Sequence, residues 1–335
     1  MSSASLPEYI TWFLDPLHHD HPTDRVELVQ THISYVLLAG EVVYKFKKPV
    51  NFGFLDFTTL EKREYYCRRE LELNRRLCPD IYHDVVAVSR GDAGFVFGGA
   101  APLEYGVKMK RLDGSRMMGE LIRRGELNET HIAAIVDTLV PFYRQAAGGA
   151  DIARFGTAAA VAVNVLENFD QTRDFIGKGA LQQGQFDIIS GYARDFLRNE
   201  ALFLERSRER VRDCHGDLYS ANICLTDKVY IFDCIEFNER FRYCDVASDV
   251  AFLAMDLDFH GLPALSELFV SRFVAASDDP GLLNMLPFYK CYRAYVRGKI
   301  GLFTAHATEV DDATRQNALS QAERYFRLAE EYAAG

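Results

Sequence analysis

What the chain lacks narrows it first. No two of its seven cysteines form a C-x-x-C pair. Zinc sites commonly bring their ligands in close pairs, so Cys214, Cys224, Cys234 and Cys244, ten apart, read as a coincidence of spacing, and the thiols as reduced and buried. The opening MSSASLPEYITWFLDP has no basic stretch followed by an apolar one, so it does not read as a signal peptide. No run approaches the ~18 apolar residues of a membrane span. The most apolar stretch, TAAAVAVNVL, is broken by Asn164. No G-x-x-x-x-G-K-[ST] phosphate loop occurs. An excess of basic charge is missing too: the formal net charge is −10, which disfavours a nucleic-acid binder that gains affinity by neutralising phosphates. The expectation left is a cytoplasmic protein with no membrane or nucleic-acid partner.

The 335 residues are 48% hydrophobic and 26% charged, a length and balance that suit an enzyme of two lobes. Residues 8–14 read as a short helix. The cluster His18, His19, Asp20, His21 has metal-ligand chemistry but no helical or strand spacing to orient it, and reads as a solvated loop. From Val26 the pattern is β, with strands meeting at the turn Ala39-Gly40-Glu41 and ending near Lys45 and Lys47. A helix should begin near Thr58 or Thr59, Thr58 followed by Glu61 fitting a capping box, and run until Pro79 closes it. Strands follow at 85–89, 94–97 and 105–109. Beyond Met117 the pattern turns helical, over 115–124, 128–147, 158–175, 183–208, 246–258, 262–276, 285–305 and 311–333. One β island interrupts, 223–225 and 229–232. The expected division is an N-terminal lobe 1–106, a hinge 107–113 and a C-terminal lobe 114–335.

One segment carries chemistry: Cys214-His215-Gly216-Asp217-Leu218-Tyr219-Ser220-Ala221-Asn222, then a hairpin, then Asp233. Phosphoryl transfer asks a protein for an oriented nucleophile, neutralised phosphates and held metal ions. Asp217 can orient an acceptor hydroxyl and take its proton. Asn222 and Asp233 can offer hard oxygens to Mg²⁺, which often takes only one or two from protein.

HGDLYSAN…IFD resembles the catalytic and metal loops of the aminoglycoside phosphotransferase and choline kinase superfamily, relatives of the protein kinases. The resemblance implies an α+β, protein-kinase-like two-lobed fold with the active site between lobes. It implies ATP (or GTP) and Mg²⁺ as cofactors, Asp217 as catalytic base, Asn222 and Asp233 as metal ligands, and His215 as a structural residue of the loop. It further implies a phosphate lysine on the third strand: Lys45, with Lys47 as runner-up. Glu70 is the matching helix glutamate, with Glu61, Glu64 and Glu72 as rivals. A G-x-G-x-x-G loop is missing, so Ser34 and its neighbours are expected to cover the phosphates. Backbone near Met109 should meet the base. Asp249 resembles the aspartate that braces the catalytic loop, and Asp245 is a candidate helix cap. Glu236 reads equally as a metal or acceptor contact and as a surface residue.

Lys290, Arg293 and Arg297 fall at i, i+3 and i+7 of one helix and form a basic stripe. It is a candidate for holding an anionic group on the acceptor, against the reading of a solvated or ion-paired face. The expected partner is a small molecule with a hydroxyl: a sugar, an amino-sugar or an aminoglycoside-like compound. NFGFLDFTTLEKR resembles an uncharacterised subgroup sometimes fused to a P-loop ATPase domain, which here would be absent or a separate partner. The competing function is a kinase-fold regulatory protein that holds nucleotide without turnover.

Overall fold

The computed structural model describes residues 6–307 and 310–335. Alternation of apolar and polar residues builds its sheet: β1 (Val26–Gln30), β2 (Ser34–Ala39) and β3 (Val42–Lys47) form an antiparallel meander. With β4 (Tyr82–Arg90), β5 (Phe95–Phe97) and β6 (Glu104–Lys110) they complete a six-stranded sheet in the order β1-β2-β3-β6-β4-β5. Successive side chains of β3 point to opposite faces. Tyr44 and Phe46 join Leu37, Ala39 and Val88 against Ile10 and Phe13 of helix α1 (Glu8–Phe13). Lys45 and Lys47 share the other face with their cross-strand neighbours Val107 and Ser34. Helix α2 (Leu60–Asn74) packs there through Cys67.

The histidine cluster is more ordered than its sequence suggested. His18 stacks on Trp12, ring centroids 3.6 Å apart, and His19 bonds the Phe13 carbonyl through Nε2 at 2.9 Å. Among the described residues no three His, Cys, Asp or Glu side chains gather as a metal site. The helix cap is displaced by one residue: Thr59, not Thr58, accepts from the Lys62 N–H, because Thr58 is turned to Asp56.

The chain divides into two units, one running up to Arg116 and taking in Cys224–Glu239, the other made of Met117–Ile223 and Arg240–Gly335. The segment Cys224–Glu239 therefore sides with the sheet, not with the helices that flank it in sequence, and departs from the expected 114–335 lobe. Bonds within that unit account for this. Cys78 Sγ donates to the Ile231 carbonyl (3.1 Å), Arg116 Nε to that of Leu225 (2.6 Å), and the Cys234 N–H to Asn74 Oδ1 (2.9 Å). Residues 107–110, assigned to the expected hinge, are paired in β6.

The second unit is helical: α3 (Met118–Arg123), α4 (Glu129–Gln145), α5 (Ala150–Ala153), α6 (Ala158–Thr172), α7 (Gln183–Phe196), α8 (Glu200–Glu209), α9 (Glu239–Arg242), α10 (Val246–Phe259), α11 (Pro263–Ser277), α12 (Leu282–His306) and α13 (Asp312–Ala334). The single helix expected over 183–208 is two. Asn199 leaves helical geometry (φ −77°, ψ 54°) and its Nδ2 donates to the Phe196 carbonyl, competing with the helix ladder. Helix α10 is buried almost all round and forms the centre. Helices α12 and α13 approach closely where Gly298 faces the ring of Phe326. Two three-residue strands, Val211–Asp213 and Tyr243–Asp245, pair antiparallel and were not foreseen. Among the described residues no helix is long and apolar enough to cross a membrane.

Gly106 in β6 is a test of the sheet's packing. A Cβ there would lie 2.5 Å from the buried Phe46 ring. Gly106→Ala should lower stability by about 1–3 kcal/mol, the usual range for overpacking, read as a fall in the thermal midpoint.

Candidate active site

In the sheet unit, strand alternation aims two lysines at one buried carboxylate. Glu70, on the inward face of α2, lies 2.9 Å from Lys45 Nζ through Oε1 and 2.7 Å from Lys47 Nζ through Oε2. Burial pushes the Glu70 carboxyl up, but Lys45 and Lys47 outweigh it and hold it at about 2. Burial likewise pulls both lysines down. Asp233 and Glu70 around Lys45, and Glu236 and Glu70 around Lys47, keep them above their ordinary range.

The two lysines differ in surroundings. Lys45 Nζ also reaches Asp233 Oδ1 at 2.5 Å, and the Asp233 side chain is 46% exposed. Lys47 is 1% exposed and pairs with the buried Glu236. Glu236 is thus neither a surface residue nor a free acceptor contact. Burial pushes its carboxyl up, and Glu70 adds to this while Lys47 opposes it. Asp233 sits at φ 63°, a left-handed conformation costly for a residue with a Cβ. It is pinned on both sides: its N–H donates to Tyr82 Oη (3.3 Å) and that of Cys234 to Asn74.

Ser34 opens β2 across from Lys47, fully buried, with its hydroxyl unpartnered. The turn before it is closed by Thr31 Oγ1, which accepts from the Ser34 N–H at 2.9 Å. Met109 is a strand residue paired with both Val43 and Tyr82, so its backbone is engaged in the sheet. Its side chain is half-buried on the lysine face, against the cluster of Cys67, Ile81 and Val107. Of the rival glutamates, Glu64 pairs with Arg68 and Glu72 with Arg69, both along the helix.

In the helical unit, the loop 214–222 is held by its backbone. Asp249, fully buried in the first turn of α10, accepts from the His215 N–H (2.8 Å), the Gly216 N–H (3.0 Å) and Tyr143 Oη (3.1 Å). Asp245 caps the same helix, accepting from the Ala247 N–H at 2.9 Å. His215 is buried and its Nδ1 accepts from the Asp217 N–H at 3.2 Å. Asn222 Nδ2 donates to both the Asp217 carbonyl (3.0 Å) and Asp217 Oδ2 (2.9 Å). The amide nitrogen is committed, which leaves Oδ1 as the atom of Asn222 available to an incoming group.

Arg293 does not face an acceptor. It turns inward, donating to the Gly216 carbonyl (2.9 Å) and lying 3.6 Å from Asp249 Oδ1. Lys290 is taken by Asp258 at 2.7 Å. Arg297 keeps its guanidinium over the Tyr219 ring, 4.6 Å from the centroid. Sequence reasoning missed Tyr143 and the pairing of Lys47 with Glu236, neither of which has a local signal.

Each unit carries a hard oxygen of the kind Mg²⁺ takes: the half-exposed Asp233 carboxylate beside Lys45 in the sheet unit, and the Asn222 amide oxygen in the helical one.

No family model matches the chain. Uncharacterised proteins of Mycobacterium tuberculosis and Mycobacterium bovis are 34% identical to it over 286 residues, 84% of this chain but only 56% of theirs. The chain thus spans about half the length of those curated relatives. Among solved structures, an aminoglycoside phosphotransferase, APH(2″)-IIIa in complex with GDP and kanamycin, aligns over 97% of this chain and 98% of its own, with a TM-score of 0.58 and 15% identity. The chain has the aminoglycoside-phosphotransferase fold. That kinase-like fold is shared by an amicoumacin kinase in complex with AMP-PNP and Ca²⁺ (97% and 93% covered, TM-score 0.56, 13% identity). A choline/ethanolamine kinase family protein of Mesorhizobium loti has it too (94% and 92%, TM-score 0.52, 14% identity).

The charge cluster makes two predictions. Lys47→Met leaves Glu70 and Glu236 short of a cation and should cost about 3–5 kcal/mol, with Lys47→Met/Glu236→Gln recovering part of it in thermal unfolding. Glu70 titrates below an unfolded glutamate, so its contribution is complete above about pH 4.3 and is lost as pH falls toward 2. In Glu70→Gln that acid dependence of stability should flatten, measured by urea unfolding across pH.

Proposed function

We propose that this protein is a nucleoside-triphosphate- and Mg²⁺-dependent phosphotransferase that moves the γ-phosphate, from ATP in the first instance, to a hydroxyl of a small molecule. The observation that carries the reading is the Asp217–Asn222 pair in a loop fixed by Asp249: a carboxylate beside an amide oxygen left open, both pre-positioned. Lys45, oriented by Glu70, neutralises the inner phosphates. Ser34 and the 31–33 turn cover them, and Met109 supports the base. Asn222 and Asp233 would hold Mg²⁺, which supplies charge neutralisation on the phosphates.

Asp217 accepts the proton of the acceptor hydroxyl. The freed oxygen electron pair forms the new bond to the γ-phosphorus as the bridging P–O bond breaks, and its electrons leave with the nucleoside diphosphate.

Asp217→Asn should lower turnover by about 10²–10⁴-fold while Mg·ATP binding stays within about twofold, measured by ADP release and by calorimetry. Tight Mg·ATP binding by the unaltered protein, with no phosphate transferred to any of a broad panel of hydroxylated metabolites, would count instead for a nucleotide-holding regulator.

A further inference from the structure

Of the three cations on the basic stripe of α12, only one lacks a neutralising carboxylate. Lys290 is paired with Asp258, and Arg293 with Asp249 and the Gly216 carbonyl. Among the described residues no carboxylate lies within ion-pair distance of Arg297, and its Nε is buried without a hydrogen-bond partner. Its guanidinium is held by aromatic faces, 4.6 Å from the Tyr219 centroid and 5.7 Å from that of Tyr325. Tyr219 is two residues beyond Asp217 and stacks on Phe252 at 5.3 Å, so the platform is rigid and belongs to the catalytic loop. Burial works against the charge, but Tyr219, Tyr325 and Asp217 outweigh it, and the group stays a cation.

Four carboxylates packed around this loop are hidden. Asp213, Asp245, Asp249 and Asp256 are 8%, 1%, 0% and 2% exposed. Each is already engaged: Asp213 by Arg242, Asp245 by Arg206, Asp249 by the loop backbone, and Asp256 by the Ser220 N–H. The helical unit therefore presents a cation against the catalytic loop, while these four acids are closed to a polyamine acceptor.

We propose that Arg297 is an acceptor-binding residue, and that the acceptor carries an anionic group, a carboxylate or a phosphate, on the molecule whose hydroxyl meets Asp217. A sugar acid or sugar phosphate fits; an amino-sugar does not. The class of substrate rests on the phosphotransferase reading. The anion site at Arg297 does not.

The test uses the full chain with Mg²⁺ and a non-hydrolysable ATP analogue, titrated with glucose, glucosamine, gluconate and glucose 6-phosphate by calorimetry, beside phosphate-transfer assays with ATP. At least one anionic probe should bind about tenfold more tightly than glucose and glucosamine. Arg297→Gln should remove that preference, and Arg297→Lys should keep part of it, with thermal midpoints confirming that both variants fold. Which of gluconate and glucose 6-phosphate is favoured separates a carboxylate from a phosphate. Preference for glucosamine, an anion preference unchanged in Arg297→Gln, or no binding of either anion overturns the proposal. Transfer to glucosamine alone would sink the anion site and leave the kinase reading standing. Arg297-dependent anion binding without any transfer would do the reverse.

Discussion

A carboxylate buried between two ammonium groups organises the sheet unit. Glu70 on α2 is reached by Lys45 and Lys47 from one face of β3, so the helix cannot rotate or slide without stranding two charges out of water. The doubling gives each lysine a different part. Lys47, sealed in with Glu236, fixes the glutamate. Lys45 keeps partial access and an exposed aspartate beside it. On the proposed reading, the phosphate-binding cation need not also bear the structural load when a second one sits two residues away on the same strand face.

The helical unit solves its own positioning problem with backbone. Asp249 gathers the N–H groups of His215 and Gly216, and Arg293 closes over the Gly216 carbonyl from α12. Asp217 is thus carried by a loop whose backbone is fixed from behind, with Asn222 Nδ2 on its carboxylate. Three strongly polar side chains, Asp249, Arg293 and Tyr143, are buried to hold one short loop. Their mutual satisfaction makes that arrangement affordable.

Much of this was legible in the residues. Period-two alternation placed β1 to β3 and put Lys45 and Lys47 on one face, and the spacing within 214–222 pointed to Asp217 and Asn222 because both lie in one continuous loop. Short-range signals also named Asp245 as a cap. What stayed hidden involves distance or burial. Lys47 and Glu236 are 189 residues apart in sequence. A helical wheel set Lys290, Arg293 and Arg297 side by side but could not show that two of them turn to carboxylates. The strands Val211–Asp213 and Tyr243–Asp245 are too short for any period. The break at Asn199 was masked because apolar residues on both sides face the same core.

The return of Cys224–Glu239 to the sheet unit has a bearing on how the molecule is made. Asp233 and Glu236, which complete the charge balance around Lys45 and Lys47, emerge from the ribosome more than a hundred residues after the strands they join. Until then two ammonium groups share a single buried carboxylate. The sheet assembled from the first segment alone is an unfinished object, and its maturation waits on synthesis of about half of the helical unit.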